Sequence, residues 1–396
     1  MSQIQNADRV RRYVPCLEGI RGYGFLLVFC GHYFSPYQFA HPGTVRFTVL
    51  AALQSLAIFA VPAFFVLSGY LIGGILYDTR NREGYFRVFY SRRILRVFPV
   101  YYITLLAIVG FYAFHGIFPN YHFWVHFLYI QNLFPSYASQ PNGLVRIGHF
   151  WSLAVEEQFY LLWPLVIWFF PSRRKLLGIA SLLIACSCGI RLVAPLFSWR
   201  LEPLFHFTPT RVDAILLGVV LALIRHDVIF DRIKPLAKWI VLAGVATTII
   251  LASCKGKVWA GTYCGFEVLI PLANFTAVAI IISVMEENSF LNRACSQRWI
   301  CWLGSLSYSL YVFHLTFHDF FMDSLVARLC NYMRFPFAFV TSAALALATT
   351  LLLSILSYRF IEGPIINLKR HLKYGSTKPL VTSREVGERV LVAAGD

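Results

Sequence analysis

Ten apolar blocks constrain this chain more than anything else in its sequence. They run approximately over residues 18–37, 50–77, 98–114, 150–170, 176–194, 209–224, 239–253, 267–285, 304–325 and 337–358. A helix rising about 1.5 Å per residue needs roughly 17–25 residues to cross a hydrocarbon layer about 30 Å thick, and each block is compatible with that length once tilt is allowed. The residues are 58% hydrophobic and only 14% charged, where a soluble chain would carry roughly a quarter charged residues. The expected fold is therefore all-α, a polytopic integral membrane protein with about ten transmembrane helices. With no internal repeat and no break in composition, residues 1–374 read as one membrane domain and 375–396 as a short polar tail. The long connection 115–149, aromatic and rich in Pro and Asn, reads as interfacial turns or a re-entrant piece.

The charges then orient the chain. With the N-terminus inside, 25 of the 35 Lys and Arg residues fall on cytoplasmic segments, a nearly threefold excess over the outer loops. Both termini are expected to be cytoplasmic by the positive-inside rule. The net charge of +16 is accounted for by this placement, and no nucleic-acid partner is expected. The nine cysteines show no CxxC pair and no zinc-type Cys/His spacing, so no metal site is expected. Most read as buried packing residues; Cys254 and Cys264 bracket a short polar loop that, if extracytoplasmic, permits a disulfide. Arg9, Arg11 and Arg12 precede the first block as in a signal peptide, but no small-residue cleavage site follows, and the block reads as a retained span.

The first block carries Arg21 and His32, two costly side chains in one apolar helix. Eleven positions at about 100° each bring them to one face, roughly 16 Å apart along the axis. Phe25 and Val28 lie between them, and Gly22, Gly24 and Gly31 suit close helix packing or close approach of a ligand. Such a face can line a reaction tunnel. Arg21 also stands three residues after Glu18, where a plain interfacial ion pair accounts for it equally.

Other blocks carry further polar groups. The second ends Phe64-Phe-Val-Leu-Ser-Gly-Tyr-Leu-Ile72 and leads into a basic segment with Arg87, Arg92, Arg93 and Arg96. That segment is either a positive-inside anchor or a phosphate clamp, since Arg92, Arg93 and Arg96 project together from a helix. The fourth opens at Trp151 and carries Glu156 and Glu157, readable as a wetted interfacial pair or as groups that orient His32 or a substrate hydroxyl. Arg211 and Asp213 in the sixth block can pair with each other or with the glutamates. In the ninth, Ser307, Tyr311 and His314 form a polar stripe about one turn apart, more often hydrogen-bonded packing than catalysis. Tyr358 to Pro364 reads as a capped exit from the last span.

Together these stretches resemble the acyltransferase-3 family of membrane O-acyltransferases. The resemblance rests on Arg21 with His32, Phe64 to Ile72, Arg93 with Arg96, Trp151 to Pro164, Arg211 with Asp213, Gly304 to His314 and Tyr358 to Pro364, in the family's order over about residues 13–370. Glu18 stands where relatives usually carry aspartate, and a hydrolase-like domain of the kind some relatives carry is not expected.

The resemblance implies transfer of an acyl group, usually acetyl, from acyl-CoA in the cytoplasm to a hydroxyl of an extracytoplasmic glycan, in the inner membrane of a bacterium. It implies donor contacts at Arg92, Arg93, Arg96, Ser68 and Gly69, and acceptor contacts at Trp151, Arg211, Asp213, Tyr308 and His314. His32 would act as general base. Glu156, with Glu157 as second candidate, would hold its tautomer. Arg21 would contact the donor or steady developing negative charge. A transient acyl-histidine is a second route, and no metal is required. Two other classes fit the same polar spans: a transporter or flippase of a glycan or acylated substrate, and a scaffold without catalysis.

Overall fold

The computed structural model describes residues 14–117, 121–134, 145–255, 265–287 and 289–376, and among them it contains helices and no strand. Seven helical segments are long and apolar enough to cross a membrane: Val45–Thr79, Tyr85–Phe114, Arg173–Val193, Leu201–Ile224, Val228–Ser253, Gly265–Met285 and Phe335–Leu368. The three expected spans missing from this set are short or broken, and each carries polar groups. Two are helices of 19 residues, α1 (Pro15–Tyr33) and α4 (Trp151–Phe169), diluted by Glu18, Arg21 and His32 and by Glu156 and Glu157. The third, expected over 304–325, breaks into α9 (Arg298–Ser305), α10 (Ser307–Phe313) and a π-helical turn over Phe320–Leu325.

The remaining long elements are α2 (Ala60–Thr79), α3 (Tyr85–Phe114), α5 (Arg173–Val193), α6 (Thr208–Ile224), α7 (Val228–Lys255), α8 (Ile270–Met285) and α11 (Phe335–Ser357). Helix α3 begins well before the apolar block starts at residue 98, so Arg87, Arg92, Arg93 and Arg96 stand on its first turns and not in a loop. The expected pairing of Cys254 with Cys264 lies outside the described residues, as does the tail beyond residue 376.

Glycine decides which helices meet most closely. The most extensive contact joins α2 to α6, where a Cβ on Gly69 would overlap the Ile215 carbonyl and one on Gly218 the Val66 carbonyl. The next joins α1 to α9. There a Cβ on Gly304 would overlap the Glu18 carbonyl, and one on Gly19 the Cys295 carbonyl. Without a hydrophobic drive between helices in lipid, such backbone-to-backbone approach supplies much of the packing energy. Helix α1 begins with Pro15 in its first turn, followed by Glu18 on the side of the dipole that favours an acid.

The break in the ninth span leaves carbonyls without helical partners, and side chains take them. The Tyr33 hydroxyl donates to the His314 carbonyl at 2.6 Å, and His149 Nε2 donates to the Val312 carbonyl at 3.3 Å. Irregular backbone at membrane depth persists where protein satisfies it in this way. Around Pro164 inside α4, hydroxyls of Tyr90 and Tyr85 donate to the Leu161 and Pro164 carbonyls at 2.8 and 3.3 Å.

Candidate active site

Two cavities lie within the bundle, one toward the Arg21 end of α1 and one toward its His32 end. The first holds about 240 Å³ and is lined by Arg21, Arg93 and Arg96, by Glu156 and Glu157, and by Ser68, Tyr160 and Tyr308 among others. The second holds about 250 Å³ and is lined by His32, His149, Trp151, Phe205 and Arg211 with apolar neighbours. Val61 and Tyr311 line both, so these two side chains form the wall between them. Tyr311 is held there by hydrogen bonds of 2.6 Å with Ser152 Oγ and 3.1 Å to the His149 carbonyl.

The first cavity is rich in charge. Arg21 Nη1 pairs with Glu18 Oε1 at 2.6 Å, the partner expected from their spacing. Arg96 Nη1 stands 4.0 Å from Glu362, a buried carboxylate that also accepts from Ser309 Oγ. The Arg93 guanidinium lies 5.5 Å over the Tyr160 ring. The hydroxyls of Tyr160 and Ser68 bond to each other and reach the Glu156 carboxyl. Beyond the last span, Lys369 adds another cation, and burial together with Arg96, Arg93 and Arg92 pushes its ammonium down to about 7.

Three positions expected to hold a donor divide here. Ser68 lines the cavity, but Gly69 faces α6 and belongs to the helix crossing. Arg92 donates to the Leu372 carbonyl and stacks 5.3 Å over Tyr374, outside the cavity lining. Tyr308, expected on the acceptor side, lines the arginine cavity and donates to the Val97 carbonyl at 2.6 Å.

In the second cavity, His32 presents an exposed ring, and the partner of that ring is a histidine where a glutamate was expected. His314 Nε2 is 3.1 Å from His32 Nδ1, while His314 Nδ1 is 2.7 Å from the Tyr311 carbonyl. Both glutamates line the other cavity. The hydrogen-bond chain defines the protons. A carbonyl only accepts, so His314 Nδ1 carries hydrogen and the Nε2 of its neutral ring is an acceptor. His32 Nδ1 must then donate, which leaves the Nε2 of a neutral His32 bare. His149 packs on the other side of His314, with ring centroids 4.7 Å apart.

Asp213 and Arg211 do not pair with each other or with the glutamates. Asp213 Oδ2 accepts from Arg191 Nη2 at 2.6 Å and from Asn274 at 2.8 Å. Arg211 instead lies against the rings of Trp151 and Phe205, at 5.2 and 4.8 Å. The residues that sequence reasoning passed over left faint signals: Tyr160 is four positions after Glu156, one turn along the same face, and Lys369 opens the basic run Lys369-Arg370-His371. Arg191 gave none beyond being a charge inside an apolar block. Among the described residues, no group of three His, Cys, Asp or Glu side chains is placed to hold a metal ion.

The model of the Acyltransferase domain family matches residues 14–359. Among curated proteins, the chain is 28% identical over 386 residues to the putative peptidoglycan O-acetyltransferase YrhL of Bacillus subtilis (strain 168), which covers 89% of this chain and 55% of that protein. It is 28% identical over 383 residues to the O-acetyltransferase OatA of Staphylococcus aureus (strain NCTC 8325 / PS 47), covering 89% and 57%. With the peptidoglycan O-acetyltransferase OatA of Listeria monocytogenes the identity is 27% over 378 residues, covering 90% and 56%. The chain thus spans little more than half the length of the curated relatives it matches. No solved structure matches.

Proposed function

The chain belongs to the Acyltransferase domain family, and from that premise we propose that it moves an acetyl group from acetyl-CoA to a hydroxyl of a cell-wall glycan, peptidoglycan being the acceptor named for its relatives. One observation carries this reading: an arginine-lined cavity and a His32-lined cavity approach from opposite ends of α1 and meet at a wall of two side chains, Val61 and Tyr311. That arrangement suits two substrates that arrive from opposite sides of a membrane. With α1, α4 and the broken 298–325 segment as three further crossings, the seven long helices become ten and both termini lie in the cytoplasm. The setting is then a bacterial plasma membrane.

The arginine end takes the donor. Arg93 and Arg96, with Lys369 near them, supply guanidinium and ammonium donors for its phosphates. The cavity of about 240 Å³ admits the thioester arm toward Tyr311 while the nucleotide stays at the mouth. At the other end, the bare Nε2 of His32 accepts the proton of the acceptor hydroxyl. The oxygen attacks the thioester carbonyl, the carbon–sulfur bond breaks, and the thiolate leaves as the ester forms. His314, acting through His32, is a positioning residue. Arg21 stands on the donor side, where its charge favours negative charge on the departing group.

The test is reconstitution of the full chain in liposomes with acetyl-labelled acetyl-CoA and cell-wall glycan. Wild type should place label in base-labile esters on the glycan, and His32→Ala should lose about 10²–10⁴-fold, the usual contribution of a general base. Normal transfer by His32→Ala would refute the base. Movement of glycan across the bilayer without consumption of acetyl-CoA would refute the transferase reading in favour of a transporter.

A further inference from the structure

We propose that the His32-side cavity contains a subsite for an oxyanion on the acceptor, a carboxylate or a phosphate ester, formed by the guanidinium of Arg211. The proposal rests on the reading above that this cavity receives the glycan, and it adds a chemical requirement to that glycan.

Arg211 is only 4% exposed, yet it lines the cavity together with His32. Its Nε and Nη1 are buried and have no hydrogen-bond partner among the described residues. A buried guanidinium is normally paired, because desolvating a cation without compensation costs several kcal/mol. The charged groups that face it are Asp213 and Arg191, with the His206 imidazole as a further titratable neighbour that supplies no negative charge. Asp213 is committed to the latter, through the 2.6 Å bond from Arg191 Nη2, and Asn274 occupies the same carboxylate oxygen. Two guanidiniums thus share one carboxylate, and the cluster keeps one uncompensated positive charge beside the cavity.

The aromatic contacts do not remove that surplus. Trp151 and Phe205 pack against the Arg211 guanidinium and line the same cavity. Ring faces attract a cation but accept no strong in-plane hydrogen bond, so the N–H groups keep their capacity while the plane of the group is held. A preorganised planar donor with unspent charge matches a carboxylate or phosphate oxygen pair. A neutral sugar hydroxyl would satisfy one donor and leave the charge.

The experiment uses the full chain in detergent with acetyl-CoA and three soluble glycan fragments: one bearing a free carboxylate, the same fragment methyl-esterified, and a phosphorylated counterpart. Wild type should favour the free acid over its ester by roughly tenfold or more in kcat/KM, the scale of a charge-assisted hydrogen bond. Arg211→Gln should bring that ratio close to one by raising KM for the charged acceptor, and Arg211→Lys should retain most of it. A phosphorylated fragment that outperforms the carboxylate identifies phosphate as the anion. Equal use of acid and ester by wild type overturns the subsite and leaves the transferase reading intact. That comparison needs no variant, so a misfolded Arg211→Gln does not obscure it. No transfer to any fragment, in a preparation that also fails with intact cell wall, overturns the transferase reading itself.

Discussion

Removing the acceptor that orients His32 should be nearly as informative as removing His32. In His314→Ala, the His32 Nδ1–H loses the Nε2 that stands 3.1 Å away, and the Tyr311 carbonyl loses its 2.7 Å donor. The His32 ring is exposed to its cavity, so the loss is that of one net hydrogen bond, about 0.5–1.5 kcal/mol, which at about 1.36 kcal/mol per factor of ten becomes roughly 2- to 13-fold. The loss should appear in kcat, with KM for the donor little changed, because His314 lines neither cavity. Since His314 is fully buried, Ala also opens a cavity, and thermal unfolding must be followed alongside. His314→Gln separates the two effects: its Oε1 stands near the position of the lost Nε2 and accepts from His32, so activity should return to near the wild-type rate. The double variant His32→Ala/His314→Ala should be no slower than His32→Ala alone, because a residue that acts through another contributes nothing once that other is gone. A further loss in the double variant, or a Gln variant as slow as Ala at equal stability, would refute the orienting role. The assay is initial-rate transfer of labelled acetyl in proteoliposomes at matched protein density.

Three further expectations follow from the arginine end and the helix crossings. Arg93→Ala and Arg96→Ala should each weaken donor binding by roughly 10- to 100-fold, as expected for lost charge-assisted bonds, whereas Arg92→Ala, already committed to the Leu372 carbonyl, should change it by less than about threefold. This is read as KM for acetyl-CoA. Lys369, held down to about 7 in the free protein, should take up a proton when a polyanionic donor binds. Donor affinity is then full below about pH 7 and declines as pH rises toward the ordinary lysine range; calorimetry in two buffers of different ionisation enthalpy detects the proton, and Lys369→Ala should abolish it. Gly304→Ala, whose Cβ would overlap the Glu18 carbonyl, should lower thermal stability by several degrees, while Gly110→Ala, which meets nothing within 4 Å, should not.

What was legible in the sequence follows from what helix periodicity encodes. Arg21 and His32 share a helix, so their common face and the Glu18 pairing could be read from spacing, as could the clustering of Arg93 and Arg96. Partnerships between helices have no such local signal. Glu156 and Glu157 were the natural partners for His32 on chemical grounds, yet α4 directs them to the other cavity, and a histidine from the broken ninth segment takes the position. Asp213 looks like the mate of Arg211 two residues away, but residues two apart on a helix diverge, and α5 brings Arg191 to it instead. Gly69 lies within a motif that invites a ligand reading, and it proves to be where two backbones touch. The break after Phe313 has no signal in helix spacing, and tertiary hydrogen bonds from Tyr33 and His149 satisfy the carbonyls around it.

The wall of Val61 and Tyr311 has an electrical consequence. If water enters from both ends, a membrane potential falls mostly across the dry section around these side chains, a shorter path than the usual about 30 Å. Moving one elementary charge through the full drop is worth about 2.3 kcal/mol per 100 mV. In the transfer proposed above, an electron pair passes from an oxygen on the His32 side to a sulfur on the arginine side, along the focused field. With the arginine end facing a negative cytoplasm, as that proposal has it, the potential opposes the shift while the proton stays on His32. On that proposal, acetylation should slow as the membrane potential rises, at fixed concentrations of both substrates.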